Sequence, residues 1–377
     1  MELKALREKI DRIDDEIARL YLSRMELVKE VAIEKNKLGI GTENTLREKE
    51  ILNRVTEGAP IELKRYLKQV FEIIFETSKA YQYGLNDRET KLVSDIKNAL
   101  ENTADFPVSA TVACQGVEGS YSSIAANKMF ELSKILYFKD FENVFSAVEK
   151  GLCEYGVLPI ENSSVGSVNA VYDLMRKHSF HIVKCVKLKI SHCLLAYDGT
   201  KKEDIKEIFS HEQAINQCQG YLNKYPNAKI TIVSNTAQAA KIVAESKRPD
   251  AACISSYECA GIYGLKTLER DIQDSENNYT RFIVISKELK IFKGADKISI
   301  MVNIPHEKGS LNKLLNKFSS LGLNLTKLES RPIAKTPFEF AFYFDFEADI
   351  GNREVMNLLG ELSQNSGFVF LGSYKEI

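Results

Sequence analysis

The sequence predicts a multidomain fold: an all-α N-terminal domain that pairs into an intertwined dimer, an α/β central region, and an α+β ferredoxin-like C-terminal module. Three observations lead there. From Leu3 to Val31 apolar residues recur every three or four positions, with no Pro or Gly before Gly39. From Val108 onward, short β-branched runs alternate with helical stretches, as in layered α/β proteins. The C-terminal part then reads β-α-β-β-α-β, the split ferredoxin-like order. A length of 377 residues, at about 150 per domain, accommodates two or three such units.

The stripe Leu3, Leu6, Ile10, Ile13, Ile17, Leu20, Leu27 and Val31 defines one helix of about 36 residues, roughly 54 Å long. That exceeds what a small helical domain covers by itself, so the stripe calls for a second chain. A short helix follows from about Asn44 to Glu57, and Gly58, Ala59 and Pro60 break the pattern. A third helix runs from about Pro60 to Gly84, with Pro in its opening turn. Asp87 to Pro107 is a polar connector, helical through Leu92 to Leu100. SATVACQG, EYGVLPIE, KLKISHCLLAY, AKITIVS, DAACISS and TRFIVIS are then strands, expected mostly parallel, with SSIAANKMFELS and NTAQAAKIVAESK as helices between them. A seam at 286–296 precedes KISIMVNI, a helix over Ser310 to Leu321, strands LTKLESRPI and FEFAFYFDFEA, a helix over Arg353 to Gln364, and FVFLGSY. The domains are therefore set at 1–90, 106–286 and 296–374.

Composition excludes several classes. Hydrophobic residues make up 44% and charged residues 27%, ordinary globular usage. Lys plus Arg number 51 against 52 Asp plus Glu, so no global basic field exists to hold nucleic acid or an anionic membrane. No apolar run is long enough to span a bilayer, and MELKALREKI lacks the apolar core of a signal peptide, which together predict a cytoplasmic protein. All seven cysteines fall between Cys114 and Cys259 without a C-x-x-C pair, so they read as buried free thiols. With five histidines, of which only His178 and His181 are close, no metal site assembles at normal spacing.

The first chemical signal is a cation on an apolar face. The register Ile17, Leu20, Leu27, Val31 places Arg24 where Leu is expected, and Lys35, 11 residues on, returns to within about 20° of it. Arg7 lies about 100° off that direction, positioned to serve another subunit's site. The second helix opens with Arg47 and Glu48, and the third sets Ser78 and Gln82 one turn apart on an inward side. An interior cation needs a carboxylate or an anionic ligand. An ion-pair network through Glu48 and Glu34 satisfies that need as well as a ligand does.

The set Arg24, Lys35, Arg47, Glu48, Ser78 and Gln82, behind ALREKI, resembles the all-helical chorismate mutase family across residues 1–85. The resemblance implies that Arg7 from the partner, Arg24 and Arg47 hold the substrate's carboxylates. Lys35 and Gln82 meet the ether oxygen, Glu48 takes the hydroxyl, and Ser78 and Asn44 complete the site. Close relatives often carry Asp where Asn44 stands. The reaction is pericyclic and needs neither nucleophile nor base, only a held conformer and charge stabilisation.

After the strand TVACQG comes Gly116-Val117-Glu118-Gly119-Ser120-Tyr121-Ser122, whose backbone can face an anion, though an ordinary helix cap explains it equally. It is not G-x-G-x-x-G, so a dinucleotide is unsupported. With PIENSSVGSV, FSHEQA, YGL at Tyr263 to Leu265 and NYTRF, in that order over 108–286, it resembles the prephenate dehydratase family. The implied fold is two α/β lobes around a cleft, similar to periplasmic binding proteins. By the same resemblance Thr280 assists the leaving hydroxyl and Arg281 supports a carboxylate or the loop, while Asn162, Ser163, Ser210 and Gln217 line the pocket. His211 is either a helper or a loop cap. By its pKa a threonine hydroxyl serves as a positioned donor rather than a full acid.

The loop Gly309-Ser310-Leu311 at a helix start and the strand end Glu329-Ser330-Arg331-Pro332 resemble the phenylalanine-binding ACT regulatory family over 296–374, with Ser310 where members commonly have Ala. The expected whole is a fused chorismate mutase and prephenate dehydratase with an ACT module. It would act on chorismate and prephenate, respond to L-phenylalanine, form at least a homodimer, and use no cofactor or metal. An amino-acid sensor without catalysis would leave Thr280 and the inward arginines without purpose, and a fusion to prephenate dehydrogenase would require the missing nucleotide fingerprint.

Overall fold

The computed structural model describes residues 3–85, 90–333 and 340–377. They form two compact units: one runs to Asn98 and includes Ile300–Phe370, the other holds Ala99–Ser299 with Leu371–Ile377. The N-terminal helices and the C-terminal module, separate in the sequence reading, thus pack into one unit. Parts of two expected segments, the connector's start at Asp87 and the first two residues of FEFAFYFDFEA, lie outside the described residues.

In the first unit, α1 (Leu3–Leu38) is the continuous helix the periodicity requires. Asn44 caps α2 (Thr45–Glu57) by accepting from Arg47 N at 3.0 Å. Helix α3 (Lys64–Leu85) begins later than Pro60, because Ile61 to Leu63 form an entry turn in which Leu63 N and Lys64 N both bond Pro60 O. Helix α4 is Lys91–Glu101. α3 packs against α1 and α2 and also against two helices of the C-terminal module.

The burial of α1 corrects the sequence reading of its face. The predicted stripe stays open in the single chain: Ile10, Ile13, Ile17, Leu20 and Leu27 are each more than half exposed. What α1 turns toward α3 is the neighbouring face, with Val28 and Ala32 buried and Tyr21 bonded to Thr77 at 3.0 Å. At 100° per residue, Leu20, Leu27 and Val31 fall within about 60° on one side of Arg24, and Tyr21, Val28 and Ala32 within about 80° on the other. Arg24 and Lys35 sit on the seam between the two faces rather than inside the apolar stripe.

The second unit has two sheets. The strands β1 (Ser109–Gln115), β2 (Leu132–Phe138), β3 (Tyr155–Asn162), β4 (Gly166–Ser167) and β5 (His181–Lys189) come first, with α5 (Tyr121–Met129), α6 (Phe141–Glu149) and α7 (Asn169–Lys177) between them. Then come β6 (Cys193–Ala196), β7 (Glu207–Ser210), α8 (Glu212–Asn216), α9 (Gln219–Leu222), β8 (Lys229–Ile232), α10 (Thr236–Ser246), β9 (Ala251–Ser255), α11 (Glu258–Tyr263), β10 (Lys266–Glu269) and β11 (Tyr279–Ser286). One lobe orders its strands β5-β11-β3-β1-β2 and the other β10-β6-β9-β7-β8. Both sheets are mixed rather than mostly parallel: the chain returns to the first lobe through β11, antiparallel to β3 and β5, and in the second β6 runs antiparallel to β9 and β10. Val112, Val157, Val186, Phe282 and Val284 anchor one core, and Leu194, Ile208, Ala252 and Ile254 the other. All seven cysteines are buried and free.

The C-terminal segment is β12 (Lys297–Ile304), α12 (Ser310–Ser320), β13 (Asn324–Pro332), β14 (Phe340–Glu347), α13 (Arg353–Leu362) and β15 (Phe368–Glu376), with strand order β13-β14-β12-β15. Phe318 of α12 stacks on Phe344 at 5.5 Å, fixing the helix side of the sheet. β15 starts in the first unit and ends in the second, where Lys375 and Glu376 pair parallel with Lys184 and Cys185 of β5.

Candidate active sites

The first site lies along α1 and α3. Arg24 Nη1 donates to Ser78 Oγ at 2.5 Å, and Ser78, 4% exposed, in turn donates to Ile74 O. No carboxylate among the described residues pairs with Arg24, and burial draws its pKa below the ordinary guanidinium value. The anticipated partner Glu34 pairs with Lys37 at 2.7 Å instead. Lys35 Nζ donates to Thr42 O at 2.6 Å, and burial lowers its pKa against the pull of Glu48. Gln82 is buried, and its amide oxygen has no hydrogen-bond partner among the described residues. Such an orphan costs stability unless a ligand meets it.

Of the other expected members, Arg47, Asn44 and Arg7 are not gathered with these. Arg47 is exposed and pairs with Glu50 on its own helix at 3.0 Å, and Asn44 is engaged as the cap of α2. Arg7 is exposed, and 17 residues of helix set it about 26 Å along α1 from Arg24. Glu48 is half-buried and lies 3.3 Å from Lys79, a residue the sequence reading passed over.

The second site is at the hinge of the two-lobed unit. Pro159 cannot donate to a ladder, and β3 bulges beside it: Arg281 pairs with Glu161 but Phe282 with Pro159. The shifted register sets Thr280 directly opposite Asn162. Asn162 Nδ2 donates to Thr280 Oγ1 and to Asn278 Oδ1, both at 2.9 Å, while its Oδ1 accepts from Ser164 N and Val165 N. Asn278 Nδ2 reaches Gln217 Oε1 at 2.9 Å, and that oxygen also meets His192 Nε2 at 2.9 Å. Burial lowers the pKa of His192 against the bond to Gln217, so the ring is neutral and Nε2–H is the donor. His192 and Asn278 occupy the two segments that cross between the lobes. Because Thr280 Oγ1 accepts from Asn162, its own proton is left to donate elsewhere.

Ser163 Oγ bonds Asn277 O and receives Tyr279 N, bracing the same loop. Ser210 is fully buried and donates to Ile254 O at 2.8 Å. His211 caps α8 through Nδ1, the capping role of its two readings. Arg281 is not brought to Thr280: successive strand residues face opposite ways, and its guanidinium meets Glu161, Glu376 and the Tyr374 hydroxyl. Across the hinge, Gly119 at φ +81° packs under Cys259, and Tyr263 OH donates to Glu118 O at 2.6 Å.

In the C-terminal segment Gly309, at φ +83°, precedes α12, with Ser310 and Leu311 in its first turn. Along β13, Glu329 and Arg331 share one face and Ser330 takes the other, the side of Phe342 and α12. Within one chain the six expected effector residues are therefore divided between two faces. His306, in the loop before Gly309, lies 6.3 Å ring to ring from Phe340, which pairs with Pro332.

Fold and sites define a class: an enzyme with a helical centre built around cations, a two-lobed α/β centre built around a hydroxyl and amides, and a ferredoxin-like module. Residues 6–83 match the family model of chorismate mutase type II and residues 112–290 that of prephenate dehydratase. The chain is 33% identical to the bifunctional chorismate mutase/prephenate dehydratase of Escherichia coli strain K12, over 96% of this chain and 93% of that one. It is 39% identical to arogenate dehydratase 2 of Petunia hybrida, over 78% and 79%. A crystal structure of prephenate dehydratase from Arthrobacter aurescens in complex with L-Phe superposes with a TM-score of 0.64 at 30% identity, covering 70% of this chain and 89% of that one. The chain belongs to the bifunctional chorismate mutase/prephenate dehydratase family. Among the described residues no helix is long and apolar enough to cross a membrane.

Proposed function

We propose that the helical segment converts chorismate to prephenate, that the two-lobed segment converts prephenate to phenylpyruvate, and that L-phenylalanine acts through the C-terminal module. One observation carries the reading: Arg24 holds a half-buried guanidinium against a serine hydroxyl, with no carboxylate among the described residues to neutralise it. A dianion supplies the missing charge. In the mutase step the ether C–O bond breaks as a C–C bond forms, and charge gathers on the departing oxygen. Lys35 and Gln82 stabilise that oxygen, Arg24 and Arg47 grip carboxylates, Glu48 accepts from the hydroxyl, and Ser78 and Asn44 hold the site's shape. Arg7, too distant along its own helix, serves the site of a second chain.

In the dehydratase step the ring carboxylate leaves as carbon dioxide, its bonding electrons aromatise the ring, and the hydroxyl departs as water on gaining one proton. Thr280 directs its O–H at that hydroxyl, Asn162 and Gln217 fix the threonine's orientation, and Ser163 and Ser210 shape the loops. Arg281 supports the strand from its opposite face. Because the same chain makes prephenate, the keto acid is favoured over the amino acid arogenate as substrate. Gly309, Ser310, Leu311, Glu329, Ser330 and Arg331 bind the effector in a site completed by a second module, which accounts for their division between faces.

The domains act as 1–90, 106–286 and 296–374, and the free thiols suit a cytoplasmic setting. The exposed stripe on α1 is covered by a second copy. Ile13→Glu with Ile17→Glu is expected to give monomers by sedimentation and lower mutase activity; an unchanged mass would refute the dimer. Chorismate supplied to the unaltered chain should emerge as phenylpyruvate. Arg24→Ala should leave chorismate unconverted and Thr280→Ala should accumulate prephenate, and full flux in either variant would overturn that site.

A further inference from the structure

Five charged side chains with alternating signs run from Glu48 into the C-terminal module. Lys79 Nζ lies 3.3 Å from Glu48 and 2.6 Å from Glu76, Glu76 lies 3.4 Å from Lys317, and Lys317 bonds Glu361. They come from four elements, α2, α3, α12 and α13. Their side chains are 24%, 11%, 11%, 16% and 7% exposed from Glu48 to Glu361. A surface pair contributes little, whereas groups this covered depend on one another for compensation. Each ammonium stands between two carboxylates, and each end carboxylate has one ammonium. Burial opposes the charge on Lys79, yet Glu76 and Glu48 together raise its pKa. Glu48 is thereby held in place with acceptor capacity left over.

We infer that Lys79 is a positioning residue for Glu48 and the link through which the C-terminal module reaches the mutase centre. The inference rests on the reading of Glu48 as the group that takes the substrate hydroxyl. A shift of α12 or α13 changes how much of Glu76 is claimed by Lys317, and so how strongly Lys79 is drawn to Glu48. Two-state behaviour of the module would reach chorismate binding by this route without altering the dehydratase cleft.

The test uses the full chain, with both activities measured on every preparation. Lys79→Gln is expected to raise the chorismate KM on the order of tenfold with a much smaller change in kcat, since the hydroxyl contact is common to substrate and transition state. Lys79→Arg should restore most of the affinity, which a merely structural role would not require. Lys317→Gln leaves Glu76 wholly to Lys79 and should raise the chorismate KM about two- to fourfold, less than Lys79→Gln does. It should also abolish the KM shift that L-phenylalanine produces there, while dehydratase inhibition persists. An unchanged KM in Lys79→Gln overturns the positioning role. A phenylalanine-independent mutase in the unaltered chain, or a full response in Lys317→Gln, overturns the coupling. Glu48→Gln with normal KM would instead fault the role given to Glu48, and a dehydratase indifferent to phenylalanine would fault the effector reading, with the Lys79 variants still decisive for positioning.

Discussion

Asn162→Asp separates the orientation of Thr280 from the integrity of the loop around it. The new carboxyl keeps the acceptor that Ser164 N and Val165 N use, at 2.9 and 3.1 Å. It loses the two donations at 2.9 Å, to Thr280 Oγ1 and Asn278 Oδ1, and sets acceptor against acceptor at the latter. Two buried neutral bonds lost in this way cost about 1–3 kcal/mol of stability, which leaves a folded protein. On the role proposed for Thr280, catalysis should suffer more, because its proton would turn to the carboxylate rather than to the departing hydroxyl. Loss of one aligned donor corresponds to a fall of about 10²–10³ in kcat, or about 2.7–4 kcal/mol. The assay is phenylpyruvate formation from prephenate, with mutase turnover in the same sample as the folding control. Protonating the new carboxyl restores one donor, so the variant should regain activity relative to the unaltered chain as pH falls. Thr280→Val should show a similar loss, and the double variant should be no worse than either. A neutral-pH rate within threefold of normal, or additive losses, would refute the arrangement.

Two more outcomes follow from the same unit. His192 titrates below its ordinary value when folded, so between about pH 6.5 and that lower value only the unfolded chain holds the proton. Stability is full above the window and declines as pH falls through it; thermal midpoints against pH should show this, and His192→Gln should flatten the slope. Gly119→Ala meets both a left-handed backbone and a Cβ 2.7 Å from Cys259 Sγ, whereas Gly166→Ala meets only the backbone cost. The first should lose about 2–4 kcal/mol and the second about 1, measured by denaturant unfolding, and equal losses would mean that the hinge packing yields.

Local pattern carried much of this molecule. The unbroken spacing from Leu3 to Val31 gave α1 its length, since Gly and Pro are absent and 3.6 periodicity is sustained. The β-α-β-β-α-β order was readable because each element is short and bounded by turn residues. Periodicity did not say which apolar face meets α3, and so Arg24 was read within the stripe rather than at its edge. Asn278 stood in a noted motif, but its partner Gln217 is 61 residues away, and His192 lay inside a run whose Leu188, Ile190, Cys193, Leu194 and Leu195 are plain core. Lys79 has no sequence signature; its surroundings depend on Glu48 and on the Glu76–Lys317 contact, which are brought to it by α2 and α12. Contacts between distant segments leave no spacing to read.

The ending of β15 bears on how this protein comes off the ribosome. Tyr374 and Glu376 are what the guanidinium of Arg281 leans on, yet they are translated more than ninety residues after it. Without residues 371–377, the β5 edge stands uncovered and Arg281 keeps Glu161 but not the groups they supply. A polypeptide cut near residue 370 carries every motif of the lyase and still lacks the strand end that covers β5 and meets Arg281.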